Sequence, residues 1–149
     1  MNAGYYPDEI SEMIELPQNL SSSPFLYEFY GTVRWSVKSI FNGYLGWFNG
    51  NPAELDPLSR KEKAKRISKL AGGENELIKE LRLAVDKEDM QWALELSDYL
   101  ISLDLFNSEI KTLRQKALIH EGAKSSNPNK RNYFLSVSYT HLRAHETSI

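Results

Sequence analysis

The chain has 149 residues, with 18 Lys and Arg against 20 Asp and Glu for a net charge of −2, and is 41% hydrophobic and 26% charged. That is the make-up of one ordinary soluble domain, or of one with a piece of a second, long enough to bury a core, with no bulk charge to draw it to nucleic acid. It has no cysteine, which excludes disulfides, thiolate metal sites and cysteine nucleophiles, and no apolar run approaches the roughly 18 residues of a membrane span.

In chain order the sequence reads as helices punctuated by Pro and Gly. Pro7 at a first helical position, followed by Asp8 and Glu9, predicts a short helix to about Ile14, closed by Pro17. Gln18 to Ser23 is a polar linker, and Ser23-Pro24 has the form of a cap followed by a first-turn proline. From Thr32 as cap, Val33, Val37, Ile40, Phe41, Tyr44, Leu45 and Phe48 form a helical stripe that Asn49-Gly50-Asn51-Pro52 ends.

Ser59-Arg60-Lys61-Glu62 is a capping box. It opens a helix that turns Ala64, Ile67, Leu70 and Ala71 inward and stops at Gly72-Gly73. A helix from about Asn75 to Val85 buries Leu77, Ile78, Leu81 and Val85. Asp86 caps the next, with Ala93, Leu96, Leu100 and Leu103 inward and Trp92, Leu94, Tyr99 and Ile101 off that stripe, so it is covered on most sides. The last complete helix starts near Asn107, buries Ile110, Leu113 and Ala117, and ends at Gly122. Ser125 to Asn132 reads as a polar loop and Tyr133-Phe134-Leu135 as the start of an uncompleted element.

No segment alternates as a strand. The fold expected is all-α, stacked antiparallel helices with short linkers. The helices around Trp92 and Ile110 have the shape of one tetratricopeptide-like hairpin, although Glu95 stands where that repeat has Leu, and one pair makes no solenoid.

The end of the chain is of another kind. Val137 to Thr147, Val-Ser-Tyr-Thr-His-Leu-Arg-Ala-His-Glu-Thr, resembles one reading frame of a transposase-type sequencing adapter. Residues 137–149 are accordingly read as a non-native tail, disordered after Ser136, and are set apart from the fold. That removes His141 and His145 from consideration as a metal pair and leaves His120, near a helix end, as the single authentic histidine.

Two groups of residues carry a family resemblance. One is Tyr30-Gly31-Thr32-Val33 with Tyr44-Leu45-Gly46-Trp47-Phe48-Asn49-Gly50-Asn51-Pro52. The other is Leu70-Ala71-Gly72-Gly73, the Trp92-Ala93 helix and Asn132-Tyr133-Phe134-Leu135. Together they resemble the helical dimerisation region of the alkyl sulfatases of the metallo-β-lactamase superfamily, over nearly all of residues 1–136.

The resemblance implies a parent in which an αββα domain with two zinc ions precedes this region and a sterol-carrier-like domain follows it. Residues 1–25 would then be the end of the catalytic domain and its linker, and 26–136 a truncated dimerisation domain. The parent would hydrolyse alkyl sulfates to alcohol and sulfate, in a periplasmic or secreted setting among other options. The family's His-x-His-x-Asp-His zinc motif is absent here, so zinc belongs to the parent and no catalytic or metal residue is assigned to this chain. Where many members have Ser-His-Asn after Tyr-Gly-Thr, this chain has Arg34-Trp35-Ser36, which leaves the parent's substrate open.

Several side chains admit a sharp and a bland reading. Phe41, Tyr44, Trp47 and Phe48 are either core or the seal of a subunit interface, and the resemblance adds Trp92 and Tyr99 as interface candidates. Tyr30 and Arg34 are candidates for approach to substrate in the parent. Arg34, with Lys38 four residues on, reaches either an anionic sulfate or a structural ion pair. The basic run from Arg60 to Lys69 is read as a solvated face, with an anion-binding surface as the alternative. The functional expectation is a homodimerising module, not catalytic by itself. The alternative is a free-standing adaptor that binds a peptide in a groove between the helices from Asn75 to Gly122.

Overall fold

The computed structural model describes residues 3–143, with side chains to Tyr139. Among these the regular structure is helical throughout: α1 (Pro7–Met13), α2 (Gln18–Ser21), α3 (Val33–Leu45), α4 (Arg60–Ala71), α5 (Glu74–Asp86), α6 (Met90–Ser102), α7 (Ser108–Lys124) and α8 (Pro128–Arg143), with 3-10 turns at Pro24–Leu26 and Pro52–Glu54. The chain divides into two compact units. One takes in the N-terminal residues to Pro57 together with Ser126–Asn129, and the other Leu58–Ser125 with the segment from Lys130 onward.

The second unit holds the main core. Leu77, Leu81, Ala84 and Val85 of α5 meet Ala93, Leu94, Leu96 and Leu100 of α6 and Ile110, Ala117 and Leu118 of α7. These are the i, i+3, i+4 positions that give each helix one apolar face, and each fully covered aliphatic side chain stabilises by about 1.5–3 kcal/mol. Consecutive helices pack as hairpins because their connections are two to five residues long, too short for anything but antiparallel neighbours. One hairpin of the α6–α7 kind is common to helical stacks and carries no repeat assignment.

The helix starts follow side-chain chemistry. Ser59 Oγ accepts from the Glu62 amide at 3.2 Å, Thr32 Oγ1 from Trp35 at 3.1 Å and Asn107 Oδ1 from Ile110 at 3.0 Å, each supplying an acceptor for an amide that has no partner inside its helix. The expected cap at Asp86 lies elsewhere. Asp86 ends α5, Glu88 takes a left-handed φ of 59°, and Asp89 Oδ1 accepts the Trp92 amide to start α6.

Three further boundaries differ from expectation. Gly46, with φ of 78°, ends α3 at Leu45 and leaves Phe48 outside it. Gly122 is no stop: α7 runs on to Lys124, and a Cβ at Gly122 would lie 2.9 Å from Leu135 Cγ. Its missing side chain therefore serves the close approach of α8, not a cap. The polar loop is cut short because Pro128 opens α8, which passes Ser136 without a break. The expected disorder after Ser136 is not found as far as Arg143. Phe134 and Val137, three apart, pack on the core and Ser138 is buried, with its hydroxyl donating to the Leu135 carbonyl. Residues 144–149, His145 among them, lie outside the described residues.

One ion pair spans α5 and α7. The Arg82 guanidinium hydrogen-bonds Glu109 and holds its carboxyl below the ordinary carboxylate value. A carboxyl whose folded pKa is depressed contributes stability that is present above its unfolded value, 4.5, and is lost as pH falls through the folded one. Glu109→Gln is therefore expected to flatten the fall of the urea midpoint below pH 4.5. Because both side chains are exposed, the difference is small. Identical acid limbs in the two proteins would show that the pair contributes nothing.

Candidate self-association surface

In the N-terminal unit α1 packs on α3, and Val37 and Phe41 are the buried apolar side chains of α3. Val37, Ile40, Phe41, Tyr44 and Leu45 stand at offsets 0, 3, 4, 7 and 8, one continuous face of a helix. The 7 residues of α1 span about 10 Å and the 13 of α3 about 20 Å, so α1 can shield only part of that stripe. Ile40, Tyr44 and Leu45 stay exposed, Tyr44 at 79%, and just past the helix end Trp47 is 73% exposed. Trp47 leans on half-buried Phe48, with ring centroids 5.7 Å apart.

Ahead of α3, Phe25 is 91% and Tyr30 76% exposed, and Tyr27 meets Phe29 edge to face. The approach to α3 is fixed from far along the chain. Asn127 Nδ2 donates to the Gly31 carbonyl at 3.1 Å and Asn129 Nδ2 to the Tyr30 carbonyl at 2.8 Å. Asn127 is itself buried. The Glu28 carboxylate accepts the Val33 amide at 2.6 Å, giving α3 a second N-terminal acceptor beside Thr32. Neither asparagine stands out in the sequence as a tether. Asn127-Pro128 does carry the same cap-then-proline form as Ser23-Pro24, and that was the available signal.

The remaining candidates fall elsewhere. Trp92 lies on α6 of the second unit, its indole N–H donating to Glu80 at 3.4 Å, beside a shallow groove lined by Ile67, Leu70, Leu77 and Leu96. Tyr99, half-buried and seven residues on, borders a different groove with Arg60, Lys63, Glu95 and Asp98. Arg34 pairs with Glu12 at 3.6 Å, and both side chains are largely exposed. Of the basic run, Lys61 pairs with Asp104, while Lys65 and Arg66 both face Glu62. These exposed contacts are those of a solvated face.

Among the described residues no group of three or more His, Asp or Glu is placed to hold a metal. His120 has Glu88 at 3.9 Å and Glu121 at 4.0 Å, which does not supply the three protein donors of a zinc site. No helix of the described residues is long and apolar enough to cross a membrane.

A family model described as alkyl sulfatase dimerisation matches residues 6–144. The chain belongs to that family. It is 42% identical, over 136 residues, to a linear primary-alkylsulfatase of a Pseudomonas species, covering 91% of this chain and 26% of that protein. An (R)-specific secondary-alkylsulfatase, also from Pseudomonas, is 33% identical over 91% of this chain and 21% of its own length. The structure of a stereoselective inverting sec-alkylsulfatase from Pseudomonas superposes with a TM-score of 0.88 at 30% identity, over 99% of this chain and 23% of that one. As a member of the dimerisation family, the chain thus spans about a quarter of the length of these relatives.

Proposed function

We propose that the chain is the dimerisation region of a zinc-dependent alkyl sulfatase-like hydrolase of the metallo-β-lactamase type: a homodimerising helical module, not catalytic by itself. The observation that carries this reading is the family match over residues 6–144, and the chain's quarter share of its alkylsulfatase relatives agrees with it. Sulfate ester hydrolysis and zinc belong in this view to the remainder of a longer protein, since the donors here do not fit a zinc site. Tyr30 and Arg34 are the side chains that would come nearest to an alkyl sulfate there.

The module's own task is to hold two subunits together. Light scattering on the 149-residue chain across a dilution series is expected to give twice the 17.1 kDa chain mass, with dissociation at low concentration. A monomer throughout would sink the reading and leave the adaptor alternative, a peptide bound between the helices from Asn75 to Gly122. Sulfate release from an alkyl sulfate by this chain with added zinc would contradict its non-catalytic role.

The adapter-derived origin of residues 137–149 rests on the resemblance of Val137 to Thr147. Sequencing the source DNA across the Ser136 codon tests it, and an unbroken native reading through Thr147 would refute it.

A further inference from the structure

We infer that the self-association resides in the N-terminal unit, and that a second copy of this chain covers the open part of the α3 stripe, around Ile40, Tyr44, Leu45 and Trp47. The inference rests on the dimerisation reading above and adds the location of the contact. The two units differ in how far they satisfy themselves. In residues 58–125 the apolar faces of α5, α6 and α7 close on one another, whereas α3 keeps Val37 and Phe41 covered and leaves the rest of the same face in water.

The area is sufficient to matter. At the exposures of Ile40, Tyr44, Leu45 and Trp47, the four side chains present on the order of 500 Å², against the ~800 Å² that each partner contributes to a standard interface. Scattered single apolar residues need no partner, but a contiguous patch of this size on one helix and its C-terminal turn does.

Charge selects the occupant. From Ser39 to Ala53 the sequence contains no charged residue. In a two-fold contact each patch meets its own image, so any charge near the axis would face a like charge. A fifteen-residue stretch without one removes that repulsion, and depletion of charge is what marks the centre of an interface. Arg34 and Lys38 precede the uncharged stretch on α3, and Lys38 borders the stripe in line with Phe41 and Leu45, two turns before Leu45, so both charges lie at the N-terminal edge of the patch and not at its centre.

Tyr44→Glu with Trp47→Glu tests the inference. Both positions are exposed, so the helical content of the variant should match that of the parent chain. Its dimer dissociation constant, from light scattering, is expected to rise at least about 30-fold, the loss that follows from two hot-spot residues made anionic at a two-fold contact. Leu70→Glu, at a position 83% exposed in the second unit, is expected to leave the constant unchanged.

A double variant that dimerises as tightly as the parent overturns the location while leaving the dimerisation reading standing. A parent chain that is monomeric at every concentration overturns both. A second readout does not depend on the double variant folding. The chain has no cysteine, so Ile40→Cys introduces a single thiol. Its labelling by a maleimide is expected to slow several-fold as protein concentration crosses the dissociation constant, and a rate independent of concentration would contradict the inference.

Discussion

Leu100→Ala is expected to lower the unfolding free energy by about 3 kcal/mol, read as a lower urea midpoint at unchanged slope. Leu100 is wholly enclosed, in the same cluster as Leu81 of α5, Leu96 of α6 and Ile110 of α7, all of which are at most 1% exposed. Truncation removes three carbon atoms from the place where three helices converge. Each neighbour is anchored on a different helix, so the void cannot close by the shift of one side chain, and a cavity penalty adds to the lost transfer energy. Against a total of about 5–15 kcal/mol for a domain, the loss is a large fraction. Leu70, which the apolar spacing turns inward, is instead 83% exposed on α4, and Leu70→Ala is expected to change the midpoint by less than about 0.5 kcal/mol. A loss below about 1 kcal/mol at Leu100 would mean that these helices do not converge there.

The second large effect is expected at Arg114. Its side chain is only 15% exposed and lies across α6, where one Nη1 donates to the Leu94 carbonyl at 3.2 Å, to Ser97 Oγ and to Asp98 Oδ1 at 2.6 Å. Arg114→Ala removes this strap and the packing of its aliphatic stem, at an expected cost of about 2 kcal/mol. Two observations keep the figure from being larger. Nε is buried with no partner, which already weighs against the folded state, and the Ser97 hydroxyl donates independently to Leu94.

Asp98 is 66% exposed, so the ion pair itself contributes little. A double-mutant cycle with Asp98→Ala should return a coupling of no more than about 1 kcal/mol. Arg114→Met, which keeps the stem, should recover part of the loss. If Arg114→Ala and Arg114→Met are equally destabilised, the guanidinium bonds carry the effect; if Arg114→Ala loses nothing, the strap is not formed in solution.

How far the sequence could be read depends on where each signal is stored. Local signals sufficed where chemistry and consequence are neighbours. Ser59 and Thr32 cap the helices that follow them, and the spacing of Leu77, Leu81, Leu96 and Leu100 picks out the buried faces. The same locality explains the failures. Asp86 and Asp89 are equally good capping residues, and only the left-handed turn at Glu88 selects the second. Gly122 has the composition of a stop, yet it is an interior residue because Leu135 occupies the space beside it. Phe41 and Tyr44 share one apolar face, and nothing in their spacing says that one is buried and the other open. Asn127 and Asn129 look like loop residues because their acceptors lie almost a hundred positions away.

The sequence by itself therefore determined the all-α class, the faces that form the α5–α7 core and, through the Tyr44–Pro52 and Tyr30–Val33 segments, the family. These follow from periodicity, capping and motif, which act over a turn or two of chain. Only the tertiary structure decided which part of the α3 stripe stays exposed, which residues tether the start of that helix, and that α8 continues past Ser136. Each of those outcomes turns on how far one helix covers another, and that is set by lengths and approach distances between segments remote in the chain.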